Sequence, residues 1–112
     1  SPTYLNPSIN LDITLTTKGA KISLDTNPLF NYEIYSKSNN QTRLIGTYNE
    51  ELYDDKVFCH KAIDYYAVAT NKYTNIQYTS DTITIYPESY VIDILNKSFI
   101  NKNRQTKTKW YI

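Results

Sequence analysis

Lys61-Ala62-Ile63-Asp64-Tyr65-Tyr66-Ala67-Val68-Ala69-Thr70, written KAIDYYAVAT, is the stretch that decides the fold. Residues 64–70 contain neither Gly nor Pro and combine two adjacent aromatics with a β-branched residue. That composition suits a pleated strand, not a turn or a surface helix. Tyr66 and Val68 alternate with Tyr65, Ala67 and Ala69, so both faces are fairly apolar. Strands of this kind lie centrally in a sheet, paired on both sides. The expectation is a small all-β domain with this strand as its spine.

Working outward, Ser1 to Ser8 carries Pro2 and Pro7 and reads as an extended lead-in. Residues 9–16 alternate without a break, which predicts a half-buried strand with Ile9, Leu11, Ile13 and Leu15 facing inward. Lys18-Gly19 supplies a turn, and Ala20 to Asp25 continues the alternation through Ile22 and Leu24 until Asn27-Pro28 breaks it. Asn31 to Lys37 predicts a third strand, with Tyr32 and Ile34 on one face and Glu33 and Tyr35 on the other. After the polar turn Ser38 to Gln41, Arg43 to Tyr48 predicts a fourth, in which Gly46 marks a bulge or a close backbone approach. Glu50 to Tyr53 adds a brief fifth before Asp54-Asp55 turns the chain. Beyond the central strand, Asn71 to Thr79 reads as a polar, tyrosine-rich loop. Asp81 to Tyr86 reads as a closing strand through Ile83 and Ile85, ended by Pro87. About seven short strands at this spacing predict a two-sheet antiparallel β-sandwich.

The totals agree with one folded domain. A chain of 112 residues with 40% hydrophobic and 21% charged residues can bury a single core. A net charge of +1 gives no general attraction to nucleic acid, and none is expected as a partner. No apolar run approaches the ~20 residues of a membrane span, and no signal-peptide pattern opens the sequence. The lone Cys59 has no internal disulfide partner, which leaves packing to supply stability. Twelve tyrosines stand against one Trp and three Phe. Tyrosine is enriched in strands and contact surfaces, and the bias toward Asn, Lys, Ile and Tyr also fits an AT-rich genome.

Taken in order, five pieces resemble a fibronectin type III module. They are Tyr32-Glu33-Ile34-Tyr35, Leu44-Ile45-Gly46-Thr47, Tyr53-Asp54-Asp55, Tyr65-Tyr66-Ala67-Val68-Ala69 and residues 80–85, SDTITI. Gly19 to Leu24 and the opening Pro-containing segment are similar to the first two strands of that family, so the resemblance covers residues 2 to 87. It implies a sandwich that presents surfaces or spaces other domains and has no active site of its own. Thr26 stands near the place of the family's core Trp, and the approach Phe58 to Lys61 lacks its usual Pro-Gly. The family's tyrosine corner falls on Asp64 in this register and on Tyr65 after a one-residue shift.

The sequence therefore divides into a sandwich, residues 1–87, and a C-terminal extension, residues 88–112. Residues 87–112 carry five Lys/Arg against two Asp/Glu, whereas residues 1–86 carry seven against nine. Residues 90–95 suit either a strand or a short helix, and Lys107 to Ile112 suits a strand. The extension is too apolar for a solvated linker, so it either adds a hairpin to its own sheet or docks on a neighbouring chain.

Candidate chemistry is sparse. Cys59 and His60 are adjacent, and adjacent strand residues point to opposite faces; a buried small Cys beside a surface His is expected, without a shared proton. Two candidate soft ligands do not make a zinc site, and no metal or cofactor is expected. Glu50-Glu51 and Asp54-Asp55 lack the ligand spacing and central Gly of a calcium loop and read as a solvated turn. Lys102, Arg104, Lys107 and Lys109 with Trp110 and Tyr111 form a basic, aromatic arm suited to an acidic protein neighbour. Tyr73, Ile76 and Tyr78 form either a recognition patch in a loop or a lid over the sandwich end. The expected role is non-catalytic: a structural or interaction module whose partners are protein neighbours in an assembly, further copies of itself among them. A virion surface, the capsid or tail of a phage or other large virus, is the favoured setting. An extracellular or cell-surface setting is the next, and a cytoplasmic assembly is compatible. The alternative is an accessory glycan-binding or spacer module of a bacterial extracellular enzyme or adhesin.

Overall fold

The computed structural model describes residues 7–88, 91–92 and 94–96. Within them the order is β1 (Leu11–Thr16), β2 (Gly19–Leu24), β3 (Phe30–Ser38), β4 (Gln41–Thr47), β5 (Leu52–Asp54), β6 (Ile63–Asn71), β7 (Gln77–Thr79) and β8 (Ile83–Ile85). One antiparallel sheet runs β1-β2-β5; the other runs β4-β3-β6, with β7 and β8 in turn on the far side of β6. The protein is a β-sandwich, and its eight strands fill seven sheet positions because β7 and β8 share one edge.

The central strand behaves as its composition predicts. β6 pairs β3 along Lys37↔Asp64 to Phe30↔Asn71, and its other side takes β8 and then β7. Ile63, Tyr65, Ala67 and Ala69 face inward and are buried. Beside them in the same sheet lie Tyr32 and Ile34 of β3, and across the core Ala20, Ile22 and Leu24 of β2. The small Ala67 and Ala69 make room for the larger Ile22, Ile34 and Tyr32, the complementarity a close-packed interior requires. Complete burial of each Ile contributes about 1.5–3 kcal/mol relative to exposure. Ile9, Leu11, Ile13 and Leu15 close the core from the β1 edge as half-buried residues.

Turn chemistry sets the register. Asn39 and Asn40, with φ 53° and 61°, form the two-residue turn of the β3–β4 hairpin, where both central residues need positive φ. Opposite Ile34 and Tyr35 the pairing jumps from Gly46 to Leu44, so Ile45 is the extra residue of a bulge. A Cβ on Gly46 would come within 3.2 Å of Leu52 Cδ1, so the residue marks both a bulge and a close approach.

Three local expectations are corrected. Gln77–Thr79 is strand β7, because the sequence 71–79 turns tightly: Asn71 Oδ1 accepts from the Tyr73 and Thr74 N–H groups, and Asn75 takes φ 62°. Asp54 does not turn the chain in solvent; it is the last residue of β5 and is 1% exposed. Cys59 is exposed, not buried, because it ends a 3-10 turn, Val57–Cys59, in which Val57 supplies the buried side chain. Thr26, near the expected core-Trp place, is exposed; the aromatic buried there is Tyr32, whose hydroxyl accepts the Asn27 N–H at 2.9 Å. Residues 87–88, 91–92 and 94–96 are helical, so the described part of 90–95 takes the helix of its two readings.

This topology gives the sandwich two poles. The β2–β3, β4–β5 and β6–β7 connections gather at one, here the upper pole, and the β1–β2, β3–β4 and β5–β6 connections at the lower. Residues 7–10 lead into β1 beside Asp25, at the upper pole. β8 runs toward the lower pole and delivers Pro87 beside Phe58 and Lys61. The path enters the sandwich at one pole and leaves at the other.

Candidate interaction surfaces

A buried polar cluster fixes the lower pole. Tyr65 Oη donates to Asp54 Oδ2 at 2.6 Å, Arg43 Nη2 to Asp54 Oδ1 at 2.8 Å, and the Lys56 N–H to the same oxygen at 3.1 Å. Burial alone would raise the Asp54 carboxyl; the Tyr65 hydroxyl, Arg43 and the Lys56 N–H outweigh it and hold the group below its usual range. Burial, then the bond to Asp54, raises the Tyr65 hydroxyl far above its ordinary value and keeps it a donor. Of the two positions weighed for a tyrosine corner, Tyr65 is the buried tyrosine, but its hydroxyl is received by the Asp54 side chain and not by backbone. The cluster ties β4, β5 and β6 together, which is a positioning task. Its one carboxylate, Asp54, is 1% exposed.

The upper pole is apolar at its tip. Phe30 lies opposite Asn71, so Leu29 and the 72–76 loop are neighbours, and the Lys72 N–H donates to the Leu29 carbonyl at 2.9 Å. Leu29 is 49%, Ile76 52% and Tyr73 79% exposed. Tyr78 belongs to β7, not to the loop; its ring meets Phe30 edge-on at 6.0 Å and covers the upper end of the core. Tyr73 and Ile76 therefore form a surface patch with Leu29, while Tyr78 is packing.

At the lower pole a groove of about 610 Å³ opens between the β3–β4 turn and the β5–β6 connection, lined in part by Asn39, Asn40, Cys59, His60 and Asp64. A thiol, an imidazole and a carboxylate thus share one wall, contrary to the expectation that Cys59 and His60 diverge on a strand; the 3-10 turn removes the alternation. A nucleophile–base–orienter set needs hydrogen bonds in series. Among the described residues none joins Cys59 to His60, and Asp64 Oδ1 is occupied by the Thr84 hydroxyl at 2.7 Å. No group of three or more His, Cys, Asp or Glu among the described residues is placed to hold a metal ion. The acidic cluster also disperses: Glu51 takes Lys21 at 3.5 Å and the Tyr53 hydroxyl at 3.0 Å, while Asp54 is interior.

Beside this groove lies a second, of about 380 Å³, between the β5–β6 connection and the helical segment, lined by Phe58, Pro87 and Val91 with His60, Lys61 and Glu88. Pro87 is fully buried and roots the segment on the sandwich. Beyond it Val91, Ile92, Ile94 and Leu95 are all exposed, on a segment with an apolar residue at nearly every described position. No helix among the described residues is long and apolar enough to cross a membrane.

The outer face of the larger sheet carries a cross-strand aromatic pair. Tyr35 and Tyr66 stack with centroids 5.5 Å apart and planes 14° from parallel. A trough of about 320 Å³ runs beside Tyr66, between Lys37, Thr42, Asp64, Thr79 and Thr82.

Of the residues predicted for partner contact, Lys102, Arg104, Lys107, Lys109, Trp110 and Tyr111 lie outside the described residues. Sequence reasoning missed Leu29 as a surface feature and treated residues 91–95 only as part of the apolar extension, without naming them as contact residues. The signal for Leu29 was the strand register that places it opposite Lys72, visible only after pairing. For Val91 to Leu95 it was an apolar run just beyond the proline that ends the sandwich pattern. No family model matches this chain, and neither a curated protein nor a solved structure matches it.

Proposed function

We propose that this chain is a non-catalytic, fibronectin type III-like module that links and spaces parts of a larger assembly, residues 1–87 forming the module and residues 88–112 the contacting arm. The observation that carries the reading is the path of the chain, which enters at the upper pole and leaves at the lower. A unit traversed end to end spaces its neighbours along a line, unlike the common domain whose ends lie close together. β4 sits beside β3 rather than beside β5, which departs from the constant-type immunoglobulin arrangement and supports the fibronectin type III reading. A phage or large-virus surface is the setting that the composition and the arm favour; a bacterial cell surface is the other.

Limited proteolysis tests this reading. In the isolated chain the arm is expected to be cleaved rapidly while residues 1–87 survive, and in the native assembly the arm is expected to be protected. Identical cleavage of the two preparations overturns the reading.

The stacked Tyr35–Tyr66 pair supports a second reading, an accessory glycan-binding module. Each ring has one face against the other, which leaves one face per ring for a sugar and a polar trough at Tyr66 for its hydroxyls. Titration of the full chain with a panel of neutral hexasaccharides, read by the Tyr66 ring signals, separates the two: no shift at millimolar sugar removes the glycan reading.

A further inference from the structure

Two of the cavities meet. The trough of about 320 Å³ beside Tyr66 and the lower-pole groove of about 610 Å³ both have Lys37 and Asp64 in their walls. These two residues are cross-strand partners at the lower end of the β3–β6 ladder. Trough and groove are therefore consecutive along one path. It runs from Tyr66 over the Lys37–Asp64 pair to the β3–β4 turn and the β5–β6 connection. Each volume falls in the range of about 300–1,000 Å³ common to ligand sites.

The chemistry changes along this path. At its start the Tyr66 ring is backed by Tyr35, so its orientation is set before any ligand arrives and little side-chain freedom is lost on binding. In the middle, Asp64 Oδ1 takes the Thr84 hydroxyl at 2.7 Å, and among the described residues Oδ2 has no hydrogen-bond partner. The ion pairs among the described residues are Lys21–Glu51 and Arg43–Asp54, so the Lys37 ammonium keeps its donors. At the far end stand the exposed Asn39 and Asn40, whose amides each offer a donor and an acceptor, with His60 and Lys61 across the groove. Lys37 and Lys61 are matched by Asp64 and by Asp81, next to Thr82, so charge does not select an anionic ligand. An aromatic face followed by mixed donors and acceptors of balanced charge is complementary to sugar rings, which present one C–H face and a rim of hydroxyls. From this we propose that the path is an extended subsite for a linear, neutral oligosaccharide. One pyranose ring stacks on Tyr66, and the units beyond it cross Lys37 and Asp64 and end against Asn39, Asn40 and Lys61. The path is longer than a single ring: Asn39 lies four residues beyond Tyr35, the neighbour of Tyr66, up to ~13 Å of strand.

The inference rests on the glycan-binding reading and names its ligand, a chain of sugars rather than one ring; the linking role is independent of it. The test is an NMR titration of the full chain with neutral gluco-, manno- and galacto-configured series, each as monosaccharide, trisaccharide and hexasaccharide. In a series that binds, the monosaccharide should move the Tyr66 ring signals alone. The hexasaccharide should also move the Asn39 and Asn40 side-chain amides and the His60 ring. It should bind at least about tenfold tighter than the monosaccharide, the gain expected from one or two added hydrogen bonds. An Asn40→Gly/Lys61→Ala variant should melt as wild type does, since both side chains are exposed and Gly accepts the φ of 61° at position 40. It should bind the hexasaccharide roughly three- to tenfold more weakly than wild type. A hexasaccharide that moves Tyr66 but not Asn39, Asn40 or His60, one that binds no tighter than its monosaccharide, or a variant of unchanged affinity overturns the extended subsite and leaves the glycan reading standing. If no sugar moves Tyr66 at millimolar concentration, both fall.

Discussion

Tyr65→Phe removes one oxygen atom from the interior and leaves the ring where it is, so it isolates the bond to Asp54. That bond is 2.6 Å long, and the carboxylate it serves is 1% exposed. Hydrogen bonds to ionised groups contribute about 1.5–3 kcal/mol, and the upper half of that range is expected for a short bond in the interior. Arg43 and the Lys56 N–H remain after the substitution, but the Arg43 side chain is 42% exposed and water screens its attraction. The expected loss is therefore about 2–3 kcal/mol at neutral pH, a large share of the stability of a domain this size. Urea unfolding should show the midpoint lowered by about 1–2 M at unchanged slope. The pH dependence has a definite sign. The folded carboxyl of Asp54 is held below its unfolded value, so its contribution is complete above the unfolded carboxylate range, near pH ~4, and disappears as pH falls through the folded value. The gap between wild type and Tyr65→Phe should stay constant from about pH 7 to about pH 5 and close below it. A loss under about 0.5 kcal/mol at neutral pH, or a gap that persists unchanged at about pH 3, would refute the argument that this hydroxyl stabilises an ionised Asp54.

Two further substitutions probe the frame. Gly19 has φ +125°, and a Cβ there would lie 2.4 Å from the Asp54 carbonyl oxygen, so Gly19→Ala should cost about 3 kcal/mol or more in urea unfolding. Gly46→Ala meets only the Leu52 side chain at 3.2 Å and should cost much less. Ser80 lies between β7 and β8 and binds Ala67 twice: its Oγ accepts the Ala67 N–H and its own N–H donates to the Ala67 carbonyl, both at 2.8 Å. Ser80→Ala strips the partner from a buried N–H, with an expected loss of about 1–3 kcal/mol and faster hydrogen exchange at Ala67.

The sandwich was legible because period-two patterning survives in the strands that face one core. Ile22 and Leu24, Tyr32 and Ile34, and Tyr65, Ala67 and Ala69 all point where alternation puts them. What alternation does not encode is the consequence of pairing. The fate of Asp54 depends on Arg43 and Tyr65, each eleven residues away along the chain, which the sandwich brings within hydrogen-bond reach. Read locally, Asp54-Asp55 resembles a solvated turn. β7 was hidden for a related reason: three residues with no apolar period become a strand only because β6 offers them an edge. Cys59 was misplaced because a 3-10 turn replaced the strand on which the reading of its direction depended. Of the candidate surfaces, Tyr73 and Ile76 stood out as aromatic and apolar residues in a polar loop, whereas Leu29 acquires its role only through the Leu29–Lys72 contact.

Both margins of the larger sheet are irregular. On one, Ile45 interrupts the ladder of β4; on the other, residues 80–82 separate β7 from β8. An extended segment from another molecule therefore finds no long, straight row of unpaired amides to zip onto, and sideways stacking into cross-β material is discouraged. A tyrosine-rich chain of this kind can thus be held at high concentration without lateral fusion through the margins of its larger sheet.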